Sequence, residues 1–255
     1  MGLVMPGVPK GSGKHPIALV VVSANDLAAS GAFYSRLFGW QLQPMSAELT
    51  AVMPPGGPMA ALRSKIPAGF PGMVPYIGVP DVAATLAQLV TAGATVERAS
   101  WKVPMVGTLA RFKDASGTVY GLTDAVSPDG APHIPMPLGP NPKPPAGAIC
   151  SLEMFAADGA NAAQFFGEWF GWGSVSTMSQ YMAFDPGAGV GGVFQSHTPS
   201  LPALAYIYAT DVGAKLTEIE AAGGKRMGEP MRLPEVACFG YFADPSGTSM
   251  GLIGP

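Results

Sequence analysis

Charge is scarce in this sequence, with 14 Lys and Arg and 17 Asp and Glu among 255 residues. A charged share of 12%, roughly half the usual quarter, leaves the surface to neutral polar, glycine, proline and apolar groups. Such a surface suits self-association better than salt-bridge networks. The formal net charge of -3 supplies no basic field for phosphates, which argues against nucleic acid as a partner. Cysteine is nearly absent. Cys150 and Cys238 cannot make a disulfide framework or a Cys-x-x-Cys metal site, as expected in a reducing compartment. Long apolar runs are missing too: stretches such as residues 17–22 fall far short of the roughly 20 needed to cross a bilayer. Residues 1–14 carry Gly and Pro where a secretory signal needs an apolar helix, so they are expected to form a flexible N-terminal arm of a cytoplasmic protein.

Glycine and proline, in contrast, are plentiful at 34 and 27 residues, a share approaching that of disordered chains. A hydrophobic fraction of 48% rules disorder out, and the chain is expected to be globular with many turns. Their distribution follows an internal repeat. D-L-A-A-S-G-A-F-Y-S-R-L-F-G-W from Asp26 returns as D-G-A-N-A-A-Q-F-F-G-E-W-F-G-W from Asp158, an offset of 132. P-D-V-A-A-T-L-A-Q-L-V-T-A-G-A from Pro80 answers T-D-V-G-A-K-L-T-E-I-E-A-A-G-G from Thr210, and D-A-S-G-T-V-Y-G-L from Asp114 answers D-P-S-G-T-S-M-G-L from Asp244, both at 130. Three landmarks at nearly one offset mark a duplicated unit of about half the chain.

Within each copy an Asp-led helix follows a β-like run twice, at Asp26 and Asp81 and again at Asp158 and Asp211. Gly39 and Gly171 stand where a helix C-cap wants a left-handed residue. Short glycine-punctuated runs after each helix complete a βαβββ unit. Four such units predict an α+β fold with this division: arm 1–14, first domain 15–126, proline-rich extended linker 127–147 and second domain 148–255.

The paired D-x-x-x-S/A-x-x-F-Y/F-x-x-x-F-G-W motifs and the D-P-S-G-T-S-M-G-L segment resemble the vicinal oxygen chelate superfamily, the glyoxalase, bleomycin-resistance and extradiol-dioxygenase group. The resemblance spans residues 17–253 and implies tandem modules paired into curved mixed sheets, each with a concave face that forms the site. It also implies where metal ligands stand in metal-using members: Leu19, Val74 and Gly121 in the first half, and Ser151, Leu204 and Gly251 in the second. None of these is a carboxylate or imidazole, and His15, His133 and His197 fall in the arm, the linker and a Ser/Pro-rich loop. No metal and no other cofactor is therefore expected.

Strand alternation places side chains two apart on one face. It groups Ile149, Ser151 and Glu153, then Leu204, Tyr206 and Tyr208, then Ser249, Gly251 and Ile253, on the second concave face. Ile17, Leu19 and Val21, with Val74 and Tyr76, fall on the first. Glu153 is the sharpest candidate, because a carboxylate in the apolar run L-E-M-F is costly to bury unless paired, protonated or functional. It could act as a general base or a ligand anchor, or be a structural acid bonded to a tyrosine. Ser151, Tyr206, Tyr208, Ser249 and Tyr76 complete the candidate ligand-binding set; the tyrosines could equally fill the sheet core. Arg111 reads more readily as a charged edge-strand residue than as a carboxylate anchor.

The expected function is metal-independent binding of a small apolar or aromatic molecule in a concave cavity, by a monomer or homodimer with no nucleic-acid or membrane partner. The alternative is a metal-independent isomerase or lyase with Glu153 as base. A metal-dependent glyoxalase or dioxygenase ranks below both.

Overall fold

The computed structural model describes residues 7–64, 72–104, 106–125, 131–178, 180–196 and 203–255. His197 and residues 126–130, where the first domain was expected to run into the linker, lie outside them.

Four βαβββ modules follow one another, as the repeat predicts. The first is β1 (Ile17–Ser23), α1 (Leu27–Phe38), β2 (Gln41–Ser46), β3 (Leu49–Met53) and β4 (Met59–Arg63). Next come β5 (Met73–Gly78), α2 (Val82–Thr91), β6 (Thr95–Val103), β7 (Gly107–Lys113) and β8 (Val119–Thr123). The third is β9 (Ile149–Ala156), α3 (Gly159–Phe170), β10 (Gly173–Met178), β11 (Tyr181–Asp185) and β12 (Gly192–Ser196). The fourth has one extra short strand: β13 (Ala203–Tyr208), α4 (Val212–Ala221), β14 (Lys225–Arg226), β15 (Met231–Leu233), β16 (Ala237–Ala243) and β17 (Ser249–Gly254). Modules pair within each half into a curled mixed sheet, in the order β2-β3-β4-β1-β5-β8-β7-β6 for the first and β10-β11-β12-β9-β13-β17-β16-β14 for the second. The two opening strands of each half run antiparallel at the centre of its sheet.

Local chemistry sets the helix ends. Asp26, Asp81, Asp158 and Asp211 each cap a helix by accepting from backbone N–H groups in its first turn. Gly39 and Gly171 close α1 and α3 at φ of 69° and 67°, a conformation that costs glycine little.

The halves share one core. Phe33 and Phe38 of α1 pack on Phe242 of the second sheet, and the Tyr34 hydroxyl donates to Asp244 Oδ2 at 3.0 Å. Reciprocally, Phe165 and Phe166 of α3 meet Phe112 and Tyr120 of the first sheet. Trp40 and Trp172 stack within these aromatic groups, on Tyr34 at 4.5 Å and on Phe166 at 4.7 Å between ring centres. Each first helix thus buries its apolar face against the other half as well as its own.

Three sequence expectations need correction. Residues 9–14, read as a flexible arm, are docked on the second half: Gly11 N–H donates to Asp185 O, Ser12 N–H to Gly171 O and Gly13 N–H to Pro186 O. Strict alternation fails at two places, where the ladder slips between Ile17 and Leu19 and between Ile149 and Ser151. These bulges turn Ile17 and Ile149 into the shared core while Leu19, Val21, Ser151 and Glu153 keep the concave faces. Arg111 is not on an edge: β7 lies between β6 and β8, and the residue is only 3% exposed.

Candidate functional site

Each half presents a tyrosine lying directly over a glycine. Tyr76 on β5 pairs with Gly121 on β8, and Tyr206 on β13 pairs with Gly251 on β17. A Cβ placed on Gly121 would fall 2.1 Å from the Tyr76 ring, and one on Gly251 would fall 2.5 Å from the Tyr206 ring. The rings occupy the space into which a side chain at either glycine would project. Gly121 and Gly251 are the positions at which the superfamily resemblance expects a metal-binding glutamate. The remaining expected positions are Leu19 and Val74 in one half and Ser151 and Leu204 in the other. These residues do not fit a metal ion, and among the described residues no three of His, Cys, Asp and Glu come together to hold one.

Around the two tyrosines the halves differ in charge. In the first, Arg111 stands across β8 from Tyr76, since both pair with Gly121, and its guanidinium hydrogen-bonds the Tyr76 hydroxyl. Arg111 also donates through Nε and Nη2 to the carboxylate of Glu97. Burial works to lower the Arg111 pKa, but the bonds to Glu97 and Tyr76 outweigh it and leave the pKa raised. The same burial pushes the Tyr76 phenol up, partly offset by Arg111. Trp101 carries the Arg98 guanidinium over its ring at 3.9 Å, with that of Arg111 at 5.4 Å. Burial, then the like charges of Arg111 and Arg63, lowers the Arg98 pKa. Arg63, Arg98 and Trp101 edge a hollow of about 180 Å³ whose apolar walls include Leu19, Val21, Ala61, Tyr76 and Leu109.

In the second half the corresponding position, Tyr241, replaces Arg111 and an acid enters. Tyr206 donates to Glu153 Oε2 at 2.7 Å, and its oxygen lies 2.9 Å from that of Tyr241. Burial, then the Glu153 carboxylate and Tyr241, pushes the Tyr206 phenol far above its ordinary range. The neighbouring Tyr181, bonded by the Gln195 amide at 3.0 Å, is also raised, by burial and then by Glu153. Ser151 pairs with Tyr206 across the ladder, and Tyr208 belongs to the same buried cluster. Ser249 is on this face beyond Gly251 but donates to Met227 Sδ at 3.6 Å.

Glu153, Ser151, Tyr206 and Tyr208 are therefore brought together, Ser249 lies at the margin, and Tyr76 belongs to the other hollow. The second face is covered. Ile134 and Leu138 of the proline-rich stretch pack on Leu204, Tyr206 and Tyr208, with Ile134 N–H donating to Gly189 O and Gly139 N–H to Val236 O. A space of about 500 Å³ remains beside this stretch, between residues 133–141, Phe184 and Val236; none of the six candidates lines it. His133 sits at its rim, 3.1 Å from Asp185.

Sequence reasoning missed Arg63, Arg98, Trp101, Tyr181, Gln195 and Tyr241. Part of the signal was present, because the offset of 130 that relates Tyr76 to Tyr206 also relates Arg111 to Tyr241. Arg98 and Trp101 were hidden by two register slips in β6.

The glyoxalase-like domain family matches residues 19–123. A Mycobacterium tuberculosis protein described as "Putative glyoxylase CFP32" is 25% identical over 252 residues, covering 92% of this chain and 93% of its own. The Mn(II)-bound glyoxalase from Novosphingobium aromaticivorans superposes with a TM-score of 0.65 at 15% identity, covering 96% of this chain and 83% of that one. The 2,3-dioxygenase LapB from Pseudomonas sp. KL28 gives 0.64 at 14% identity, covering 96% and 93%. These structural likenesses concern the fold.

Proposed function

Given a glyoxalase-like domain at residues 19–123 and a chain with the fold of the vicinal oxygen chelate superfamily, we propose that it binds a small, largely apolar or aromatic molecule without a metal ion. The observation that carries this reading is the Tyr76 ring over Gly121, at the wall of a hollow large enough for one ring. A cavity of about 150 Å³ already accommodates benzene. In the metal-using plan a carboxylate would stand there; here the same space is filled by an aromatic surface with a hydrogen-bonded hydroxyl. Metal-dependent glyoxalase or dioxygenase chemistry does not suit this chain, because the expected ligand positions hold Leu, Val, Gly and Ser. No helix among the described residues is long and apolar enough to cross a membrane. The proposed binder is cytoplasmic and works as a monomer or homodimer.

A thermal-shift screen of single-ring aromatic compounds tests the reading. A ligand present at 100 times its Kd stabilises by about 2.7 kcal/mol. For a chain of this size that is roughly 5–10 °C in Tm. Absence of any shift across such a set would count against it.

A second reading, a metal-independent isomerase or lyase using Glu153, draws support from the chain Glu153–Tyr206–Tyr241, which runs from a buried carboxylate to a partly exposed hydroxyl. Glu153→Gln keeps the shape and an acceptor for Tyr206 but removes the base. Turnover that survives this change would sink that reading.

A further inference from the structure

We propose that the first hollow selects an anionic ligand of single-ring size, an aromatic carboxylate whose ring rests on the Leu19, Val21 and Tyr76 wall and whose charge meets Arg98 and Arg63. This rests on the reading that the hollow binds a small molecule, and adds the ligand's charge.

Cations are concentrated at this hollow. Only 14 Lys and Arg occur in 255 residues, yet Arg63 and Arg98 line this one hollow, and Arg111 stands behind its Tyr76 wall. Two acids oppose the three guanidinium groups. Glu97 is held by Arg111 through two hydrogen bonds, and Glu48 sits at the rim, so the charge around the hollow sums to a positive excess. Arg98 feels the like charges of Arg111 and Arg63, a repulsion that an incoming carboxylate relieves.

The second half of the chain serves as an internal control. It builds an equivalent sheet with Gln195 in place of Arg63, Met231 in place of Trp101 and Tyr241 in place of Arg111, and interrupts the strand that corresponds to β6 at Gly228, the position that answers Arg98, at offsets of 132 and 130. The fold therefore does not require arginine at any of these positions. Nor does it require Trp101, whose ring holds the Arg98 guanidinium in place. A stacked guanidinium loses less freedom on accepting a carboxylate than a solvated one, and its planar fork matches the two oxygens.

Size and polarity point to the same ligand. A hollow of about 180 Å³ with aliphatic and aromatic walls takes one ring, and Arg63 and Arg98 belong to its lining. A ligand that satisfies both parts is a ring with an acidic substituent.

Calorimetric titration of the full chain with benzoate, benzamide and benzylammonium at low salt provides the test. Benzoate is expected to bind at least about tenfold tighter than benzamide, the scale of a charge-assisted hydrogen bond, and benzylammonium weakest of the three. The preference for benzoate should shrink as salt is raised. Arg98→Gln, at an exposed position, should cost benzoate about tenfold and leave benzamide within about twofold. Benzamide binding as tightly as benzoate, or a benzoate preference untouched by Arg98→Gln, overturns the charge selection while leaving the hollow as a binding site. Failure of all three probes to bind overturns both.

Discussion

Replacing Gly121 by Ala isolates the contact on which the metal-free reading depends. The new methyl would lie 2.1 Å from Tyr76 Cδ1, 2.3 Å from Cγ and 2.4 Å from Cε1, all far inside ordinary contact. The ring cannot yield easily. Tyr76 is 1% exposed, packs with Leu19, Val74 and Leu109, and is tied at its hydroxyl to Arg111. Overpacking of a close-fitted core costs about 1–3 kcal/mol, and a ring that tips away from Arg111 loses a charged hydrogen bond of about 1.5–3 kcal/mol. Together these give a loss of about 2.5–6 kcal/mol, or roughly 5–24 °C in Tm. Thermal and urea unfolding of Gly121→Ala, Tyr76→Leu and the double variant form a cycle. Removing the ring relieves the clash, so the double variant should be more stable than additivity predicts by at least about 1 kcal/mol. An alanine tolerated without loss, or strictly additive effects, would mean that the ring does not occupy that space. Gly251→Ala should behave alike, since its methyl would meet Tyr206 at 2.5 Å and Leu204 at 2.9 Å.

Other consequences follow from burial and from the shared core. The phenols of Tyr34, Tyr120 and Tyr206 are raised by burial, so their stabilising effect is complete below pH about 10 and is lost as pH rises above it. An absorbance titration of the native chain near pH 11 should show fewer phenolates than the same titration in denaturant; equal counts would contradict their burial. Cys150 and Cys238 are both buried, and burial pushes the Cys150 thiol well above its ordinary range, so a thiol reagent should label the native chain far more slowly than the unfolded one. Because Phe33, Phe38 and Tyr34 complete the aromatic core around Phe242 and Asp244, residues 148–255 expressed alone should lack the cooperative unfolding of the full chain. A sharp two-state melt of that half would show that it does not need the first.

The fold was legible because its signals are local and doubled. Four aspartate caps, two left-handed glycines and a repeated helix motif each have a meaning that one sequence window carries. Face assignments on the strands were legible only as far as alternation holds. Leu19, Val21, Ser151 and Glu153 were placed on the concave faces, whereas Ile17 and Ile149 were misplaced because a bulge of one residue reverses every assignment beyond it. The same limit hid Arg98 and Trp101 behind the irregular ladder of β6. Arg111 was misjudged for another reason: its burial depends on Glu97 and Tyr76, partners on two other strands. The cover that Ile134 and Leu138 lay over the second face, and the meeting of Arg63 and Arg98 from two strands at the first hollow, were hidden in the same way. Long-range partnership is what a single chain pattern does not encode in its local spacing.

The central claim, small-molecule binding without a metal ion, is tested most directly by measuring benzoate affinity before and after exhaustive chelation, with the metal content of the same samples determined in parallel. The account predicts one Kd in both samples and metal far below one equivalent per chain. Binding that disappears on chelation and returns with one equivalent of a transition metal would contradict it.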